Sequence, residues 1–226
     1  SAKGIKGVSS VVIDGGTFDI DAADDAVHSN GSVTVNQGTF AITSGDDGMH
    51  ADSTLTINNG TITVNKSYEG LESAVITINA GDIQVVSSDD GINVSGGMDG
   101  SGTQGGGPGG PPGAGGGRGQ DSFTSNTSYY LYIRGGTISV NASGDGLDVN
   151  GAIEMSGGTV LVSGPVENMN GALDYDASFT LTGGVLIAAG SAGMAMAPGT
   201  TSSQNSVLIN FNSMLPAGTL VHVQNS

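Results

Sequence analysis

The chain has 226 residues, 21 Asp and Glu against 5 Lys and Arg for a formal net charge of −16, 41 Gly, 5 Tyr, 5 Phe, and neither Trp nor Cys. Such a length can bury a sizeable core, most naturally as one domain. The negative charge argues against nucleic-acid and membrane-surface roles, no run approaches the ~18 apolar residues of a membrane-spanning helix, and the absence of Cys excludes disulfides and thiolate metal sites.

In chain order, a Gly followed by Thr and an apolar residue recurs as Gly16-Thr17-Phe18, Gly38-Thr39-Phe40, Gly60-Thr61-Ile62, Gly136-Thr137-Ile138 and Gly158-Thr159-Val160, with Gly81-Asp82-Ile83 and Gly184-Val185-Leu186 as variants. Successive glycines are 22, 22, 21, 55, 22 and 26 residues apart. The interval of 55 is one coil plus a 33-residue insertion. Within each period the apolar residues alternate, as in Val33-Val35 and Phe40-Ile42, then Leu55-Ile57 and Ile62-Val64. Short alternating runs between Gly, Asn and Asp corners read as three strands per period. No window carries apolar residues at helical spacing with caps at both ends. The pattern predicts an all-β, right-handed parallel β-helix of about seven coils, each of about 22 residues. Phe18, Phe40, Ile62, Ile83, Ile138, Val160 and Leu186 are expected to stack as one inward column.

The coils are expected over 7–97 and 129–197, with a Gly/Pro-rich insertion at 98–128 and a cap at 198–226. The insertion is too poor in apolar groups to pack, so it reads as a flexible loop, with a flap over a binding surface as the sharper alternative. The cap carries Val207-Ile209-Phe211 and Leu220–Val223 to cover backbone edges at the open end of the coil. Residue 1 begins without a Met or a basic and apolar leader, so an export signal is expected to have been removed or to lie outside this stretch.

Nine residues after each repeat Gly comes an acid: Asp25, Asp47, Glu69, Asp90, Asp145 and Glu167, with Asp24, Asp46 and Asp89 just before three of them. Three residues on lies a second polar column of His28, His50, Glu72, Asn93, Asp148 and Asn170. Neighbouring coils sit about 4.8 Å apart, where two like charges repel by roughly 3.5 kcal/mol at an effective dielectric of 20. Such a ladder needs raised pKa values or a bound cation, and oxygen-rich sites without Cys favour Ca²⁺. The alternative is a solvated turn whose acids cap backbone amides. The sharpest calcium candidates are Glu69 and Glu72 against Asp89, Asp90 and Asn93, then Asp145 and Asp148 against Glu167, Asn168 and Asn170. His28 and His50 suit a hydrogen bond to the neighbouring carboxylates, with Zn²⁺ or another transition metal as the alternative.

Asp46-Asp47-Gly48-Met49-His50-Ala51-Asp52, Lys66-Ser67-Tyr68-Glu69-Gly70 and Asn170-Gly171-Ala172-Leu173-Asp174-Tyr175-Asp176 together resemble the bacterial calcium-bound β-helix domains that bind carbohydrate. The resemblance covers nearly the whole chain and implies an extracellular module associated with cellulose and polygalacturonate. That family is similar in fold to family 9 pectate lyases, which hold Ca²⁺ with an Asp-Asp-x-x-Asp element and use a Lys as base. Here Asp89-Asp90-x-x-Asn93 carries an amide at the last position, Asp46-Asp47-x-x-His50 carries a His, and Asp145-x-x-Asp148 is preceded by Gly144.

The leading expectation is therefore a secreted or cell-surface module that binds plant cell-wall polysaccharide, polygalacturonate first and cellulose second, through calcium. Lys66, Tyr68 and Tyr175 are the expected sugar contacts. One alternative is a calcium-dependent lyase with Lys66 as the base that abstracts the proton α to a uronate carboxylate. The dense field of carboxylates argues for Lys66 as a charged counter-ion instead. The other alternative is an adhesin-like β-helix in which calcium only staples the coils.

Overall fold

A computed structural model describes residues 2–96, 128–216 and 218–224. The expected insertion at 98–128 and its reading as a flap lie outside the described residues except for Ser128. The described residues contain nineteen strands and no helix, and every strand pairing is parallel.

The chain is a solenoid of about seven coils with three faces. The first face stacks β3 (Thr17–Ala22), β6 (Thr39–Ser44), β8 (Thr61–Ser67), β10 (Asp82–Ser87), β13 (Thr137–Ala142), β16 (Thr159–Ser163) and β19 (Val185–Ala189). The second, made of short segments, stacks β1 (Ile5–Gly7), β4 (Val27–Ser29), β7 (Met49–Ile57), β9 (Leu71–Ile78), β11 (Ile92–Val94), β14 (Leu147–Val149) and β17 (Leu173–Tyr175). The third stacks β2 (Ser10–Ile13), β5 (Ser32–Val35), the later halves of β7 and β9, β12 (Tyr130–Ile133), β15 (Ala152–Met155) and β18 (Ser178–Leu181).

Stacking identical positions is what the repeat is for. The column Phe18, Phe40, Ile62, Ile83, Ile138, Val160 and Leu186 is in register through all seven strands of the first face. Its inner members are buried, and Phe18 and Phe40 stack with centroids 4.8 Å apart. The repeat Gly closes the corner before this face. Gly16, Gly38, Gly60, Gly81, Gly136, Gly158 and Gly184 all have φ between 83° and 140°, which L side chains seldom adopt.

The corner between the third and first faces carries a second ladder. Asn36 Nδ2 donates to Asp14 Oδ1 (2.6 Å), Asn58 Nδ2 to Asn36 Oδ1 (2.7 Å), Asn79 Nδ2 to Asn58 Oδ1 (2.8 Å), and Arg134 to Asn79 Oδ1 (3.2 Å). An anion accepts at one end and a cation donates at the other, so every amide dipole points the same way and polarises the next. Near the C-terminal end, Gly199 N donates to Phe179 O (2.7 Å) and Gln204 N to Leu181 O (3.2 Å), which lays residues 199–204 beside β18. Beyond them no strand forms among the described residues, and Val207, Ile209, Phe211, Leu220 and Val223 are exposed.

Candidate cation-binding corner

The acids stand where the first face turns into the second, each just before a small residue: Asp25-Ala26, Asp47-Gly48, Glu69-Gly70, Asp90-Gly91 and Asp145-Gly146. The backbone stacks them directly, because Ala26 N donates to Asp47 O (3.0 Å), Gly48 N to Glu69 O (3.0 Å), Gly70 N to Asp90 O (3.0 Å) and Gly91 N to Asp145 O (2.9 Å). The small residue is a packing requirement: a Cβ on Gly48 would lie 2.9 Å from Val64 and 2.5 Å from Gly70 O. The second column runs Lys6, His28, His50, Glu72, Asn93, Asp148 and Asp174 along the second face.

The last coil departs from the expected columns. Gly146 N bonds Gly171 O, and Asp148 is in register with Asp174. Gly171 and Asp174 therefore take the places that even spacing gives to Glu167 and Asn170. The interval is 26 residues rather than 22, and the extra four loop outward with Glu167 and Asn168 exposed. Asn168 Oδ1 instead accepts a hydrogen bond from Ser191 Oγ (3.1 Å).

These acids are not on a solvated turn. Asp24, Asp25, Asp47, Glu69, Asp90, Asp145 and Asp148 are all at most 8% exposed, and Asp46, Glu72 and Asp89 are partly buried. Their compensation differs along the ladder. At the N-terminal end Lys3 Nζ pairs with Asp24 (3.1 Å) and Asp25 (2.5 Å), and His28 Nδ1 lies 2.7 Å from Asp25 Oδ2. Lys3 falls before the first full repeat, so periodicity gave no reason to place it there. Next, His50 sits among three acids, with Nδ1 3.1 Å from Asp47 and 2.5 Å from Glu72, and Nε2 3.2 Å from Asp52. Burial opposes charge on His50, but its hydrogen bonds to Asp47 and Glu72 outweigh that and push its pKa up to about 11. Burial likewise pushes Glu72 up, yet the His50 hydrogen bond and charge leave it below the usual carboxylate range. Asp47 is raised well above that range by burial, which the hydrogen bond from His50 only partly offsets.

One coil further, Glu69, Asp89 and Asp90 bring carboxylate oxygens within 4.8 Å of one another. Burial first, then the charges of Glu72, Asp47 and Asp90, hold Glu69 well above its usual range. Asn93 Nδ2 donates to Glu69 Oε2 (2.8 Å), while Asn93 Oδ1 is buried without a hydrogen-bond partner. Asp90 Oδ1 accepts Asp145 N at 2.6 Å, and Asp145 Oδ1 accepts Gly171 N. A third group of close carboxylates, Asp24, Asp25 and Asp46, is the one that Lys3 already serves.

The expected sugar contacts are spread over different surroundings. Tyr68 lies beside Asp89, and burial with that hydrogen bond raises its hydroxyl pKa. Lys66 is exposed beside the bulge where β8 slips against β6. Tyr175 donates to Ala197 O (2.7 Å) and packs edge-on to Phe179, so its hydroxyl is already engaged. The pairing of β12 adds a stack that sequence spacing did not single out: Tyr130 and Tyr132 are 5.2 Å apart and nearly parallel, with Arg134 5.4 Å from the Tyr132 ring. A shallow groove of about 760 Å³ lies at the glycine corner, lined by Gln37, Thr39, Asn59, Thr61 and Asp82 among others.

A model of the family described as "Carbohydrate-binding domain-containing protein" matches residues 1–48 and 46–91. The match spans the coils from Lys3 to Asp90 and suggests carbohydrate binding. No curated protein and no solved structure matches the chain.

Proposed function

We propose that this chain is an extracellular carbohydrate-binding module whose acid corner holds Ca²⁺ and, through it, the carboxylates of polygalacturonate. The observation that carries this reading is Asn93 Oδ1, a buried oxygen with no hydrogen-bond partner on the amide that donates to Glu69, itself close to Asp89 and Asp90. A buried acceptor left unmet is costly, and three close carboxylates repel unless a cation joins them. An amide oxygen with carboxylate oxygens is the donor set of a hard divalent ion, and Ca²⁺ tolerates the irregular geometry that two coils impose. The residues present therefore fit the ion. Calcium bound there supplies the positive charge that lets an acidic polymer approach a chain of net charge −16. Tyr68, beside Asp89, and the exposed Lys66 would then hold a ring and a sugar carboxylate. Cellulose, which carries no charge, would use the Tyr130–Tyr132 stack or the glycine-corner groove instead.

The test is retention on immobilised polygalacturonate with calcium and with excess chelator, for the parent chain and for Glu69→Gln and Asn93→Leu. Calcium-dependent retention that both substitutions weaken is the expected result. Retention that survives the chelator overturns the calcium bridge. Unsaturated uronide released in the same mixture, and lost in Lys66→Ala, would make the corner a lyase.

A further inference from the structure

His28 and His50 are in register on neighbouring coils, and their rings stack with centroids 5.0 Å apart and planes 19° apart. Each turns Nδ1 toward the acid three residues earlier, Asp25 for His28 (2.7 Å) and Asp47 for His50 (3.1 Å). Both rings therefore have the same orientation and present Nε2 on the same side. His50 Nε2 there meets Asp52 Oδ1 at 3.2 Å, and Asp52 Oδ2 is 3.5 Å from Asn30 Nδ2. His28 Nε2 meets nothing: the residue is 1% exposed and this nitrogen has no hydrogen-bond partner.

We propose that His28 Nε2, His50 Nε2 and the Asp52 carboxylate form a transition-metal site, with Zn²⁺ the ion they suit best. A carboxylate holding Nδ1–H fixes the tautomer, orients the ring and makes Nε2 a better ligand, which is how metal-binding histidines are normally supported. Asp25 and Asp47 stand in that supporting position, and Glu72 adds a second carboxylate 2.5 Å from His50 Nδ1. Two imidazoles and one carboxylate leave a fourth position open to water or ligand, the arrangement Zn²⁺ accepts and hard Ca²⁺ does not favour. The rings stack 5.0 Å apart and nearly parallel, so sharing one ion requires the two Nε2 atoms to draw together as it binds.

The charge arrangement favours a dication. Asp25, Asp47, Asp52 and Glu72 surround the two rings, and Lys3 engages Asp25 at one end. Lys6, in register with His28, is exposed, so its ammonium group can turn to solvent. In the metal-free chain a proton on His50 satisfies the same acids. Binding displaces that Nε2 proton to solvent, and Asp52 turns from hydrogen-bond acceptor to ligand. The side chain of Asp52 is 27% exposed, which leaves an entry path from solvent.

The experiment is calorimetric titration of the chelator-stripped full chain with Zn²⁺ alone, with Co²⁺ absorption in the visible as the readout of nitrogen ligation. One equivalent of Zn²⁺ and cobalt ligand-field bands are expected. Asp52→Asn should weaken Zn²⁺ at least about tenfold, and Asp25→Asn, acting through His28, about 10- to 100-fold. His28→Gln should remove the cobalt bands, and Glu69→Gln should leave both readouts unchanged. Thermal unfolding checks that each variant folds, and Asp52→Asn decides the matter if His28→Gln does not. Absence of uptake, uptake untouched by both Asp52→Asn and His28→Gln, or uptake lost only in Glu69→Gln overturns the site.

Discussion

Lys3 is the residue whose removal should reveal how the acid ladder is held at its open end. It is nearly buried against Asp24 and Asp25, and Lys3→Met takes its ammonium from two buried carboxylates, leaving His28 beside Asp25. Breaking a buried pair by deleting one member costs about 3–5 kcal/mol. Because each coil contacts only its neighbours, the loss should concentrate in the first coil. We expect amides of β1 and β4 to lose hydrogen-exchange protection while those of β13 and β16 keep theirs. A second contrast sits in the core column. Phe40 is 1% exposed, whereas Phe18 is only partly buried at the end of the stack. Phe40→Ala should cost about 3–5 kcal/mol, and Phe18→Ala clearly less; denaturant midpoints of the two variants check this. Equal losses would mean that a further element covers Phe18.

At the level of the strand and its corners, backbone conformation and amide ladders do the work that helix caps do elsewhere. Gly60 has φ of 129°, and a Cβ there would lie 2.9 Å from Gly38 O. Gly60→Ala should therefore lose about 1–3 kcal/mol from strain, although alanine would otherwise gain from a less flexible unfolded chain. The asparagine ladder is more forgiving, because its members are only partly buried. Asn58→Leu cuts it in the middle and leaves Asn36 and Asn79 each short of one partner. We expect a loss of about 1–2 kcal/mol, measured by urea unfolding, and little change if water replaces the amide. The corner glycines before β7, β9, β11 and β14 are tight for a different reason. Gly70 would drive a Cβ into Val85 and Gly91 O, so this position admits no side chain.

For the whole molecule, the uneven neutralisation of the ladder predicts where an ion stabilises the fold. Lys3, His28 and His50 serve the first coils, while Glu69, close to Asp89 and Asp90, is met by the amide of Asn93, whose oxygen is unmet. A ligand that binds only the folded state at 100 times its Kd adds about 2.7 kcal/mol. Calcium should therefore raise the melting temperature, chelator should reverse it, and Glu69→Gln should reduce the shift. A shift that Glu69→Gln leaves intact would move the ion to another pair of coils.

How much of this was legible depended on what repeats. The interval of about 22 residues, the alternation within it and the recurring Gly-Thr pair led to a parallel solenoid, and the core column from Phe18 to Leu186 stands in the expected register. A repeat carries this information because identical positions on successive coils meet in space, so one-dimensional phase becomes a contact. The same phase placed Asp25, Asp47, Glu69, Asp90 and Asp145 on one corner. It misplaced Glu167 and Asn170, because a looped insertion adds residues without adding rise, and hydrogen bonding rather than counting puts Gly171 and Asp174 in the columns. Lys3 and Asp52 were outside the phase argument altogether: one precedes the first complete repeat, and the other has the amide Asn30 one period earlier. Burial was also beyond the sequence. Polar residues at a turn read equally as solvated or enclosed, and only the packing of neighbouring coils decides that these carboxylates are shut away from water and must share protons, basic side chains or a cation.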